Sequence, residues 1–154
     1  MKDYEKNGVL KSKDLQLPTE EQLKKGLAFI ECVQEIPCNP CVDSCPVNAI
    51  SMKDINAPPI VDYDKCISCG KCVGVCPGLA IFVIKIKDDK AIISIPYEFL
   101  ELPEKGDTVK ALNRKGEVVS DATVRRIVKR GKTMVVTLEV EKDLWNEVRN
   151  IRVE

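Results

Sequence analysis

The chain contains no histidine. That absence removes His-ligated zinc, Rieske centres, haem held through imidazole, and every Ser-His or Cys-His catalytic arrangement. Aromatic residues are scarce: three Phe, three Tyr and one Trp in 154 residues. A core must therefore be built from Val, Ile and Leu, and a small aliphatic core often needs a staple such as metal or disulfide. Neither sign of charge is in excess, with 24 Lys+Arg against 24 Asp+Glu. The balance argues against a nucleic-acid partner and suits a protein that stays docked better than one steered to many partners. No GxGxxG or GxxxxGKS/T loop occurs, so no nucleotide or flavin site is recognisable. Also missing is any apolar run approaching the roughly 20 residues of a membrane span. Met1–Leu17 is charged and polar, without the apolar centre of a secretory signal. A cytoplasmic location is expected, where thiols stay reduced and clustered cysteines read as metal sites.

What the chain does have is cysteine. All eight lie between Cys32 and Cys76, and the C-terminal half has none. They fall in an internal repeat. Leu27–Cys32 parallels Val61–Cys66, each a short strand running into a cysteine loop, and Cys45-Pro46-Val47-Asn48-Ala49-Ile50 parallels Cys76-Pro77-Gly78-Leu79-Ala80-Ile81 in a shared C-P-x-x-A-I frame. Asp54–Pro59 forms a turn-rich link between the copies.

The second copy reads Cys66-x2-Cys69-x2-Cys72-x3-Cys76-Pro77, the spacing of bacterial iron–sulfur ferredoxins. Three thiolates two residues apart on a tight loop can wrap three corners of a cubane, with backbone N–H groups turned toward the sulfides. Gly70 and Gly74 are expected to let the backbone approach the inorganic core. The first copy, Cys32-x5-Cys38-x2-Cys41-x3-Cys45-Pro46, carries three extra residues between its first two cysteines. Because its last three align without gaps, the insertion is expected to be a bulge in the ligand loop. Two alternatives stay open from the residues alone: a pair of four-cysteine zinc sites, and a [3Fe–4S] cluster if Cys32 is not a ligand. A redox disulfide fits poorly, since C-x-x-C in that class stands alone.

Over roughly residues 27–82 these motifs resemble the bacterial two-[4Fe–4S] ferredoxin family. The resemblance implies a β-α-β-β-α-β unit with two [4Fe–4S] clusters held in crossed fashion, one by Cys32, Cys38, Cys41 and Cys76, the other by Cys66, Cys69, Cys72 and Cys45. The altered first motif and the C-terminal extension further resemble small Fe–S subunits that accompany FAD-dependent amino-acid, opine or hydrogen-cyanide-synthase-like dehydrogenases. That likeness implies a non-catalytic electron-transfer subunit in a hetero-oligomer with an FAD-containing dehydrogenase, and no catalytic residue. A free-standing soluble ferredoxin and a metal-stapled structural module are the competing functions.

The fold class expected is α+β: residues 1–26 as an extension with a short helix, 27–82 as the dicluster unit, and 83–154 as a small β-domain, a bent sheet or barrel. Thr19 and Gln22 read as a capping box opening that helix, and Gly26 as its end. Ile81–Lys87 and Ala91–Ile95 flank a hairpin turn, and Thr108–Leu112, Glu117–Val128 and Thr133–Val140 read as strands. Asp143–Asn150 reads as a short final helix. Trp145 is expected to pack on the β-domain rather than anchor a partner. Arg125, Arg126, Lys129, Arg130 and Lys132 make a basic hairpin, read as a solvated face more readily than as a contact for an acidic partner. Asp54, Asp62 and Asp64 read as turn formers and caps.

Overall fold

The computed structural model describes residues 1–153. Helix α1 (Asp3–Asn7) and a 3₁₀ turn at Ser12–Asp14 precede helix α2 (Glu20–Lys25). α2 begins as its sequence dictates. Thr19 Oγ1 accepts from the Gln22 N–H at 3.2 Å, and Gln22 Oε1 accepts from the Thr19 N–H at 2.9 Å, which satisfies two otherwise orphaned donors. Gly26, at φ +95°, ends it.

The next elements are strand β1 (Leu27–Ile30), helix α3 (Pro40–Ser44), strands β2 (Ile50–Ser51) and β3 (Ile60–Val61), helix α4 (Lys71–Val75) and strand β4 (Ile81–Lys87). β1 pairs antiparallel with β4, Leu27 opposite Ile84 and Ile30 opposite Ile81, and β2 pairs with β3. This is the β-α-β-β-α-β order that the ferredoxin resemblance implies, and α3 packs against α4. Asp62 and Asp54 act as turn formers: Asp62 Oδ1 accepts from Asp64 N–H at 3.1 Å, and Asp54 Oδ1 from Asn56 N–H at 2.9 Å.

β4 turns through Asp88-Asp89 into β5 (Lys90–Tyr97), with Lys87 opposite Lys90 and Asp88 at φ +56°. Strands β6 (Thr108–Leu112), β7 (Val118–Arg130), β8 (Thr133–Glu141) and β9 (Asn150–Arg152) follow. The sheet runs β1-β4-β5-β8-β7-β6-β9, antiparallel throughout. Its interior is aliphatic, as the scarcity of aromatics requires: Ile84, Ile93, Ile95, Val136 and Leu138 are fully buried. β7 serves two neighbours. Its first half pairs with β6, a register shift falls between Val124 and Arg126, and its second half pairs with β8; a bulge of this kind sharpens local twist. The sheet stays open, with β1 and β9 as edges, so of the two forms expected no closed barrel is made. Among the described residues no helix is long and apolar enough to cross a membrane.

The expected helix at Asp143–Asn150 is replaced by a 3₁₀ turn at Lys142–Leu144 followed by β9. The chain extends because Val148 and Ile151 are both buried, and because the Arg149 N–H is already donated to Leu112 O at the end of β6. Trp145 packs on Phe29 of β1, ring centroids 5.8 Å apart.

Side chains, not backbone, tie the two edges together. Glu31 directly follows β1, and its carboxylate accepts from Arg149 Nε at 2.9 Å and from Arg114 Nε. Arg149 donates further to the Trp145 and Val148 carbonyls and lies over the rings of Phe29 and Phe82 at 5.4 and 5.2 Å. Arg114 holds both the carbonyl and the side-chain oxygen of Asn146. The side chains of Arg149, Glu31 and Arg114 are only 4%, 7% and 15% exposed.

α4 lies across the sheet, touching β4, β5, β7 and β8, and its Val73 is fully buried. At Gly74 a side chain has no room, since a Cβ there would stand 2.4 Å from Arg130 Cβ.

Two outcomes are expected. Glu31→Ala leaves two buried guanidiniums without their counter-charge, and denaturant unfolding of the holo-protein should show a loss of about 3–5 kcal/mol; an unchanged midpoint would mean that the triad is not coupled to folding. Gly74→Ala should cost about 1–3 kcal/mol by pushing the β7–β8 hairpin off α4, read as a lowered Tm together with faster amide exchange at residues 128–135.

Candidate metal centres

The eight cysteines gather at two places. Cys32, Cys38, Cys41 and Cys76 line one small apolar cavity with Ile30 and Ile81. Cys45, Cys66, Cys69 and Cys72 line another with Ala28 and Ile50. α3 carries Cys41 and α4 carries Cys72, and the cysteine closing each motif crosses to the other motif's cavity. The extra residues of the first loop bulge outward: Gln34, Glu35, Ile36 and Pro37 are exposed, while Cys32 and Cys38 stay on the cavity. The loop is anchored where the Cys38 N–H donates to Ile55 O at 3.2 Å.

Backbone donors already point at sulfur. The Ala49 N–H donates to Cys45 Sγ at 3.2 Å, and its counterpart in the repeat, the Ala80 N–H, to Cys76 Sγ at 3.4 Å. Cys66 Sγ accepts from Ala28 N–H at 3.3 Å and Ser68 N–H at 3.4 Å. Such bonds stabilise negative charge on ligating sulfur. The twin turns that aim Ala49 and Ala80 depend on one left-handed residue each, Asn48 at φ +54° and Leu79 at φ +53°. Asn enters that region readily; Leu does so at a cost of roughly 1 kcal/mol or more. The three alanine donors escaped the reading of the residues, although the A of the C-P-x-x-A-I frame marks two of them. The roles expected for the glycines divide. Gly70, at φ +77°, lines the second cavity, but Gly74 makes room for Arg130.

In the metal-free thiol form, burial and the charges of neighbouring thiols push the Cys41 thiol up to about 11 and the Cys72 thiol up to about 12, and Cys32 is raised by the same causes. Beside them, burial and then Cys66 raise the Tyr63 phenol to about 12, and its hydroxyl donates to Gln16 O. These thiols therefore stay protonated at neutral pH until metal displaces the proton. Four soft donors around each apolar cavity, with N–H groups directed at the sulfurs, fit a cubane iron–sulfur cluster.

Comparison with known proteins agrees with this donor set. Residues 31–80 match the 4Fe-4S dicluster domain. The polyferredoxin-like subunit of an aliphatic sulfonate oxidoreductase from Pyrococcus furiosus is 49% identical over 47 residues, which cover 30% of this chain and 27% of that protein. An uncharacterized ferredoxin of Methanocaldococcus jannaschii is 52% identical over 44 residues, 29% and 28% of the two chains. The ferredoxin-type protein NapF of Haemophilus influenzae is 35% identical over 78 residues, 49% and 44% of the two. The chain thus spans less than half the length of each of these relatives. No solved structure matches it. Residues 31–80 are accordingly a ferredoxin-type 4Fe–4S dicluster domain, and the cofactors of the protein are two [4Fe–4S] clusters.

Proposed function

We propose that the chain is the electron-transfer subunit of an oxidoreductase complex, carrying electrons between a flavin-bearing dehydrogenase and an acceptor. The observation that carries this reading is the pair of four-thiol cavities, one lined by Cys41 of α3 and the other by Cys72 of α4, two helices in contact. The two clusters, when bound, supply one-electron redox centres. The ligand sets that fit are Cys32, Cys38, Cys41 and Cys76 for one and Cys45, Cys66, Cys69 and Cys72 for the other, in line with the cavities each set lines. The chain's residues do the rest. The N–H groups of Ala28, Ser68, Ala49 and Ala80 hold negative charge on sulfur, Ile30, Ile81 and Ile50 limit water at the cavities, and α3 against α4 fixes the separation of the two sites.

A division of labour at about residues 26 and 82 accompanies this reading, with the dicluster unit between an N-terminal segment and the rest of the sheet. A complex is favoured because no nucleotide-binding loop occurs in the sequence, so the two-electron chemistry belongs on another chain. The Pyrococcus furiosus relative is itself named as a subunit of an oxidoreductase. A flavoprotein partner follows from the need to split electron pairs into single electrons, which flavins do. A reducing compartment such as the cytoplasm suits eight unoxidised thiols.

Anaerobically isolated protein should show visible absorbance that bleaches with dithionite and returns in air, and its native complex should contain a flavin-bearing chain. Zinc without acid-labile sulfide would overturn the reading, and a lone monomer without a flavoprotein would overturn its partner. Cys45→Ala should lower iron and sulfide to about half, with the loss falling on the cluster bound by residues 66–72. If iron-directed spectroscopy instead finds that cluster intact and the one at Cys38 and Cys41 gone, the crossed ligand sets are wrong.

A further inference from the structure

The fold brings the basic hairpin onto helix α4. Arg130, at the end of β7, packs on Gly74 in α4, the helix that carries Cys72. Arg126 lies on the same face of the strand as Arg130, and Lys132 is in the turn. Arg125 is paired with Glu139 at 2.9 Å. Arg126, Arg130 and Lys132 are exposed, as is Lys71 at the start of α4, and among the described residues none of the four enters an ion pair. Glu98, at the foot of the hairpin, accepts from Thr133 Oγ1 at 2.7 Å. The residues that lead into α4 and end it include apolar side chains open to solvent. Cys69 is exposed, and Ile67 and Val75 are 54% and 42% exposed. The matching corner of the first motif, Cys38, is placed differently. It lines a groove together with residues 33–36 of the outward loop and with Lys2, Tyr4 and Leu10 of the N-terminal segment.

We propose that the corner formed by Cys69, Ile67 and Val75, rimmed by Lys71, Arg126, Arg130 and Lys132, is the docking port for an acidic redox protein. The inference rests on the electron-transfer reading and deepens it by assigning which of the two thiol cavities faces the acceptor. The charge argument decides the occupant. Lys+Arg and Asp+Glu balance over the chain, so the selective charge is local, and four exposed cations without an ion pair, on α4 and on the hairpin packed against it, favour carboxylates. The exposed apolar residues inside that rim give a small dry contact once the partner arrives. Exchange through the port is a single electron: this protein is oxidised by one as the partner is reduced by one, and no bond is made or broken.

The probe is a flavodoxin, an acidic one-electron flavoprotein, mixed anaerobically with dithionite-reduced and desalted holo-protein. Binding is read by calorimetry and transfer by stopped-flow. Arg126→Glu with Lys132→Glu should lower both the affinity and the second-order rate about tenfold or more at low salt, and the difference should collapse near 0.5 M NaCl as screening sets in. Lys115→Glu, in the β6–β7 turn at the other end of β7 from Arg130, should change neither. Carbodiimide cross-links should fall on Lys71 or Lys132. The proposal is overturned if the double variant, with its iron content unchanged, binds and transfers as the parent does. Cross-links confined to Lys2, which lines the Cys38 groove, overturn it too, as does charge-dependent binding to phosphatidylserine vesicles with flavodoxin binding unaffected. If the reduced holo-protein reduces no acceptor, the electron-transfer reading falls with it; if transfer proceeds but ignores the hairpin, only the port falls.

Discussion

One buried carboxylate organises the junction of this molecule. Glu31 sits where β1 stops and the first cysteine loop starts. Its N–H continues the ladder to Ala80 O at 2.8 Å, and its side chain takes two guanidiniums from far along the chain. Burying three charges is expensive, and their mutual attraction offsets that only when the remaining donors are satisfied as well. Here they are: Arg149 uses its other N–H groups on Trp145, Val148 and Asn146, and Arg114 on Asn146. Among the described residues no buried side-chain nitrogen or oxygen lacks a partner. Burial nevertheless depresses the Arg149 guanidinium to about 10, with the Glu31 charge opposing the shift. Backbone pairing leaves the sheet with two edges, and the triad joins the end of β1 to the segment leading into β9. The two edges that a barrel would have joined by hydrogen bonding are linked here by salt bridges.

That junction makes the two metal centres unequal. The first cavity receives Cys32 one residue after Glu31, and the N-terminal segment and the bulged loop surround its approach. The second is built on α4, which the sheet supports from behind through Val73 and Gly74, and its Cys69 corner faces outward. The internal repeat thus supplies twofold-related chemistry, down to the paired Ala49 and Ala80 donors, and the added elements break the symmetry by walling a groove at the first centre, whereas the Cys69 corner of the second is exposed. Covering also acts on electrostatics: exclusion of water raises the cost of charge on a centre, whereas exposure and nearby cations lower it.

How much of this was legible in the residues follows from how local each feature is. Cysteine spacing is set over a dozen residues, so both motifs could be read directly, and the family resemblance they carry implied the order of elements around them. So could the Thr19–Gln22 cap and the hairpin at Asp88-Asp89, since each depends on residues only a few apart. The features that were missed are long-range or conformational. The Glu31–Arg149 contact joins residues 118 apart in sequence, and no local pattern announces it. The turn at Leu79 is hidden because Leu carries no signal for positive φ, whereas Asn48 does. Gly74 was assigned to the metal site because it lies in the motif, although the neighbour that requires it, Arg130, comes from the other half of the chain. The final helix was misread because Asp143–Asn150 has helix-compatible composition, while an edge partner and two buried apolar residues demanded a strand.

The lengths of the elements indicate where the stability of the dicluster unit originates. Its helices are five residues long and its inner strands two, far below what stands alone in water. Two external sources remain. Metal ligation holds the loops, because binding free energy at a site absent from the unfolded chain is folding free energy. The sheet supplies the other, through the β1–β4 ladder and through α4 laid across β4, β5, β7 and β8. β5 and β8, by contrast, pair over eight residues from Lys90–Glu141 to Tyr97–Met134 and bury Ile93, Ile95, Val136 and Leu138, a core that owes nothing to cysteine. The extra β-structure is therefore an energetic support for the metal-binding half. Attaching that support through α4 also sets Arg130 of the hairpin against Gly74, two residues from Cys72, so one packing contact stabilises the fold and brings a cation to the helix of the second centre.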